Sequence, residues 1–173
     1  MRSVGAIAGP TLLAAAAVGG LGTASSATAS GDGNALNGTY SATSNGEQAR
    51  TNESYHDEAT VRSTWTITST CTTPFDCTGW VTSDAGWSAD LHRQNSEWTV
   101  KRDIPNWERC ADGTTYTGAQ EYRFYPADAS GAISLSPGST TLVGEDKTTG
   151  PSGACGRNQW LVVRMPFKLV KLA

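Results

Sequence analysis

Thr60-Val61-Arg62-Ser63-Thr64-Trp65-Thr66-Ile67-Thr68 is a strand written in period two. Val61, Trp65 and Ile67 fall on one face, and Thr60, Arg62, Thr64, Thr66 and Thr68 fall on the other. Successive side chains of an extended chain point to opposite faces, so the pattern marks a sheet with one buried and one wet side. Threonine and the indole both suit that pleated, half-buried surface.

The same signature recurs along the chain. Leu36 to Ser44 reads as a first strand, and Asn45 to Asp57 as a polar loop with some edge-strand content. Thr78 to Thr82 leads into the turn Ser83-Asp84-Ala85-Gly86, after which Trp87, Ala89 and Leu91 alternate inward. Gln94-Asn95-Ser96 turns the chain again before Trp98 and Val100. Asp112-Gly113 is a hairpin signal, and Ala119 to Tyr125 follows as a strand with Tyr122 and Phe124 on one face. Gly131 to Ser136 and Thr140 to Val143 are short candidates, separated by the turn Ser136-Pro137-Gly138. Gly144 to Asn158 reads as a long Gly/Thr loop, and Trp160 to Leu172 as a last apolar strand. Within it, Pro166 suggests an edge position or a bulge. No stretch carries helical periodicity. About eight short strands with regular turns predict an all-β chain, either an antiparallel barrel or a sandwich.

The N-terminus predicts where the chain goes. Arg2 supplies a positive start, an apolar run extends from Val4 to Leu21, and Ala27-Thr28-Ala29 forms an A-x-A site before Ser30. That is the layout of a secretory signal peptide covering residues 1–29, cleaved between Ala29 and Ser30. The run is Ala- and Gly-rich, broken by Gly9-Pro10, and shorter than the about 20 apolar residues of a membrane span. No later run is long enough, so no span is expected in the mature chain. Residues 30–35 read as a flexible leader and 36–173 as a single domain, large enough to bury a core of its own. The formal net charge of −3, with both signs interspersed, argues against nucleic acid as a partner, which demands basic clusters.

All four cysteines lie beyond the export signal, where thiols meet an oxidising compartment. Cys71, Cys77, Cys110 and Cys155 allow three pairings. The spacing favours a local Cys71–Cys77 bridge across a turn and a long-range Cys110–Cys155 bridge. Zinc would need closer cysteine pairs or Cys/His clusters, and no metal or cofactor is expected.

Candidate chemistry is sparse. His56-Asp57-Glu58 brings an imidazole beside two acids, and His92 is the other histidine. Neighbours on an extended chain point apart, so a solvated polar loop is the plainer reading of the cluster. Asp84, Asp90 and Glu97 flank consecutive strands, and as a pair in a cleft such acids would serve glycoside cleavage; turn and surface roles are the plainer account. Asp84, Asp112 and Asp146 stand too far apart in sequence for a calcium loop. No nucleophile elbow, phosphate-binding glycine loop or H-E-x-x-H motif is present. The chain is therefore not expected to be an enzyme.

Of the six tryptophans, Trp65, Trp87 and Trp98 fall in register with the apolar faces of their strands and belong to the core. Trp80, Trp107 and Trp160 do not, and they are the candidate ligand-binding residues.

Leu36-Asn37-Gly38-Thr39-Tyr40, Thr64-Trp65, Cys71 with Cys77-Thr78-Gly79, and Cys155 followed by Pro166-Phe167-Lys168-Leu169 carry a resemblance. In these landmarks the chain resembles an uncharacterised group of small exported proteins from mycobacteria and related actinobacteria. It is distantly similar to extracellular domains of mycobacterial serine/threonine kinases. The resemblance covers most of the mature chain and implies an exported β-domain, with no active-site residue to carry over. Gly38-Thr39-Tyr40 is also similar to the G-x-W of lipocalin-type barrels, which would imply an interior holding a small apolar ligand. Three functions follow as expectations. The first is a secreted, non-catalytic domain that binds a small apolar or sugar ligand, or an envelope or host protein. The others are a secreted hydrolase of cell-wall or host glycans, and a structural envelope protein with no small ligand.

Overall fold

The computed structural model describes residues 32–173, so the export signal and its Ala29–Ser30 site lie outside the described residues. Ten strands follow in order: β1 (Gly38–Ser44), β2 (Arg50–Thr51), β3 (Ser54–Tyr55), β4 (Val61–Thr73), β5 (Asp76–Ser83), β6 (Trp87–Gln94), β7 (Glu97–Arg109), β8 (Thr115–Ala127), β9 (Thr141–Thr149) and β10 (Val162–Lys171). β1 pairs antiparallel with both β4 and β10, and this double pairing closes eight strands into a barrel. Barrel thus replaces the barrel-or-sandwich alternative. Closure leaves the eight strands without a free edge. β2 and β3 form a small hairpin on β10, at Val163 and Arg164, where β1 has already ended.

Pro166 sits in the gap this leaves. Its carbonyl accepts from Asn45 N at 2.8 Å, just past the last rung of β1 and before β2 begins. The missing N–H therefore faces a break in the ladder, where a proline costs least.

An eight-strand barrel is just wide enough for side chains to fill it. Trp65 is the hub. Its ring meets Tyr122 at 4.9 Å and Trp87 at 5.2 Å, both edge-on, and lies 5.2 Å from Phe167. Gly144 makes this convergence possible. It stands opposite Phe124 on one side and Phe167 on the other, and a Cβ there would collide with the β8 backbone at Arg123. With no side chain between them, the two phenyl rings approach to 5.6 Å.

Three expectations change. Val61 is 49 % exposed, because β5 ends opposite Trp65 and only β1 still flanks β4 at that point. Gly131 to Ser136 is no strand: only Ile133 bridges to Ala127, while Asp128 accepts from the Ser130 and Ala132 amides and holds the segment as a loop. Gly144 to Thr149 belongs to β9, where a loop was expected. The physical reason is that its inward positions, Asp146 and Thr148, are buried polar residues, so hydropathy does not alternate although burial does.

Both disulfides are present. Cys71 and Cys77 face each other across β4 and β5, with Cα atoms 3.9 Å apart. Cys110 and Cys155 are 5.2 Å apart at Cα and join the β7–β8 turn to the 150–161 segment.

Candidate functional site

Above the aromatic hub the interior turns polar. The Arg102 guanidinium lies 4.5 Å from the centre of the Trp87 ring, a cation–π contact. Arg102 Nε donates to Gln120 Oε1 at 2.6 Å, and Gln120 Nε2 donates to Asp146 Oδ1 at 2.8 Å. Ser44 Oγ then donates to Asp146 Oδ2 at 2.6 Å. Five strands thus each contribute one residue to a chain that crosses the barrel. Both carboxylate oxygens are engaged and the group is buried, so the arrangement fixes geometry and offers no open base.

Burial pushes the Asp146 carboxyl above the ordinary aspartate range, against hydrogen bonds from Ser44 and Gln120 and the nearby Arg102 charge. The folded state then holds this proton at pH values where the unfolded chain, titrating near 3.9, has lost it. The resulting stabilisation is complete below the unfolded value and is lost as pH rises through the folded one. Asp146→Asn keeps an acceptor for Gln120, and Ser44 can turn its hydroxyl to accept. Urea midpoints measured from pH 3 to 7 are therefore expected to show that component of wild-type pH dependence missing from Asp146→Asn. Superimposable wild-type and variant profiles would reject the assignment.

A bulge completes this end of the barrel. Between Ile104 and Glu108 the register of β7 slips against β8, with Asn106 at φ 56°. Such a bulge re-aims the side chains that follow. Trp107 turns onto Gly118, where a Cβ would lie 2.7 Å from the indole, and Glu108 is buried against Gly150. The indole thus uses the space a side chain would take.

At the opposite end, Ser69 Oγ accepts from Leu36 N at 2.7 Å and donates to Leu36 O at 2.9 Å. Asn37 brackets the Ser69 backbone in the same way, donating to its carbonyl and accepting from its amide. The segment before β1 is thereby pinned across the mouth. Beneath it lies a cavity of about 90 Å³, whose wall includes Leu36, Tyr40, Arg93, Trp98 and Leu142.

The three candidate ligand-binding tryptophans do not converge. Trp80, 47 % exposed, faces outward from β5; Trp160, 56 % exposed, lies in the segment entering β10; Trp107 is half-buried at the bulge. Trp65 and Trp98 are fully buried, and Trp87 is half-buried. The acids and histidines are equally dispersed. His56 Nδ1 lies 3.1 Å from Glu58 Oε1 in an exposed loop, and Asp84 accepts from Thr64 N at 2.9 Å. Glu97 accepts from the Tyr125 hydroxyl. Asp90 and His92 share the outward face of β6, beside Lys101, in an open depression of about 460 Å³. No group of three or more His, Cys, Asp and Glu residues suited to a metal occurs among the described residues. Sequence reasoning missed the Arg102–Gln120–Asp146 chain and the placement of Arg93. The one available signal was their inward phase, two residues from Val100, Tyr122 and Leu91.

The fold has a solved counterpart. The chain is similar to the sensor domain of PknI from M. tuberculosis in its monomer form, with a TM-score of 0.56 and 16 % identity over 80 % of this chain and 88 % of that one. A scan against protein-family models returns no match, and neither does a search of curated proteins. At that identity the likeness shows the fold alone, a closed eight-strand antiparallel barrel.

Proposed function

We propose that this chain is a secreted, disulfide-stabilised recognition domain without catalytic function, meeting its partner at its surface. In this reading residues 1–29 are the export signal, cleaved between Ala29 and Ser30. Residues 30–35 are a leader, and 36–173 are the domain. The observation that carries it is the filled interior: Trp65, Tyr122, Phe124 and Phe167 occupy the space that a lipocalin-like barrel would open to an apolar ligand. The fold shared with a sensor domain supports recognition as its role. The exposed indoles of Trp80 and Trp160 supply contact area, with Trp107 behind the mouth, for a sugar or an envelope or host protein.

Native mass spectrometry of protein collected from the culture medium tests the first part. The expected mass is that of a chain starting at Ser30 with two disulfides and no lipid. A stoichiometric apolar adduct would overturn the reading. For the second part, binding to intact cell envelope is expected to fall severalfold in Trp80→Ala/Trp160→Ala while the urea midpoint stays put. Unchanged binding would remove those two indoles from the interface.

A further inference from the structure

Arg93 is the one cation that the barrel buries without a counter-charge among the described residues. It is 5 % exposed, points inward from β6 beside Trp98, and its Nε has no hydrogen-bond partner. No carboxylate of the described residues lies within ion-pair distance of it. Among the described residues its close electrostatic partner is the Trp98 ring, with the guanidinium carbon 5.7 Å from the centroid. A single cation–π contact returns less than withdrawing the charge from water costs. Burial accordingly pulls the Arg93 pKa below its ordinary value. Arginine stays protonated even so, which leaves a positive charge seeking an anion.

The space beside it has the chemistry to receive one. Arg93 lines the cavity of about 90 Å³ at the capped mouth, several times the roughly 10–15 Å³ that a single water needs. Lys171 lines it too. As the register partner of Tyr40, Lys171 shares the inward phase of β10, so both cations face the same mouth. No aspartate or glutamate contributes to the wall. The Tyr40 hydroxyl is nearly uncommitted, since its one acceptor, Asn37 O, is at 3.5 Å. Leu36, Leu142 and Trp98 add apolar surface to the wall, and Asn34, Ser136, Ser139 and Thr140 add neutral polar groups.

We propose that this capped end is a binding site for a small monovalent carboxylate, with Arg93 as the principal ligand, Lys171 as a second charge at the rim and Tyr40 as a hydroxyl donor. The guanidinium fork matches a carboxylate in two parallel hydrogen bonds. The wall carries no further cation to offset a second negative charge, so desolvating a dianion costs more than the same two cations can return. The proposal goes beyond surface recognition and does not depend on it.

The side-chain Nε–Hε resonance of Arg93 reads the site directly. In a titration of the secreted chain with sodium acetate, one arginine Nε cross-peak is expected to shift saturably, and the thermal midpoint to rise. Sodium chloride and sodium phosphate at equal ionic strength should leave both in place. Arg93→Gln should abolish the acetate response. Lys171→Met, at an exposed position that leaves the fold intact, should weaken it by roughly two- to fivefold, the effect of one partly solvated charge. If Arg93→Gln fails to fold, the wild-type titration and Lys171→Met still decide between a site and none. An Arg93 resonance that ignores acetate overturns the site, and equal responses to chloride or phosphate overturn its carboxylate selectivity.

Discussion

Trp65→Ala is expected to lower unfolding stability by about 3–5 kcal/mol, the range for truncating a buried aromatic ring. The residue is 0 % exposed, and its ring cluster ties four strands together: Trp65 lies on β4, Trp87 on β6, Tyr122 and Phe124 on β8, and Phe167 on β10. Removing the indole therefore opens a hole that no single neighbour can fill by changing rotamer. The Nε1 bond to Ser63 at 3.0 Å is lost as well, but Ser63 is half-buried and can turn to water. Domains of this size have about 5–15 kcal/mol of stability, so the variant should lie near the edge of folding. Urea unfolding gives the comparison, with Val61→Ala as control. Val61 sits four residues earlier on the same strand, yet its exposure limits the expected loss to about 0.5 kcal/mol. A Trp65→Ala loss under about 1 kcal/mol, or equal losses at the two positions, would show that the ring cluster is not the centre of the core.

That contrast also shows what sequence pattern can and cannot read. Period-two alternation placed Trp65 and Ile67 on one face of β4, and both are buried. It placed Val61 there as well, on the correct face, but past the end of β5. Pattern reports the face of a strand, not how far the neighbouring strands extend beside it. β9 fails in the opposite sense. Glu145-Asp146-Lys147 reads as loop because each residue is charged, yet Asp146 is almost fully buried and bonded to residues of β1 and β8. A polar side chain can occupy an interior only when partners from distant strands satisfy it, and those partners are 26 and 102 residues away. Arg93 and Arg102 are hidden for the same reason. Each continues the inward phase of its strand, and its charge makes the position look like surface. The candidate sites at both ends of the barrel are built from residues of this kind.

The loss of Cys110–Cys155 should exceed the loss of Cys71–Cys77. Cys110 and Cys155 are 45 residues apart, and closing a loop of that length removes chain entropy equivalent to about 4 kcal/mol. Cys71 and Cys77 are 6 apart, for which the same relation gives about 2.4 kcal/mol. Their neighbours already hold them in place: Thr70 pairs with Thr78 and Thr73 with Asp76 on the same hairpin. The longer bridge has less support, since Cys110 lies past the last residue of β7 and Cys155 in the short turn Ala154–Gly156 between β9 and β10. Paired alanine substitutions avoid leaving a hydroxyl at the buried Cys71 and Cys77 positions. Cys110→Ala/Cys155→Ala is therefore expected to lose about 3–4 kcal/mol, and Cys71→Ala/Cys77→Ala about 1–2 kcal/mol, both read from urea midpoints. Amide exchange should separate the two further. Without the long bridge, protection should fall first across 150–161, because that segment is then held at its ends by the Gly150 N to Leu161 O bond at 2.8 Å and by a reciprocal pair in which Val162 N donates to Asn52 Oδ1 and Asn52 N donates to Val162 O, each at 2.8 Å. If the two pairs cost the same, or the short bridge costs more, loop entropy does not govern this barrel and its mouth is held by packing of Trp107 and Glu108 against Gly118 and Gly150.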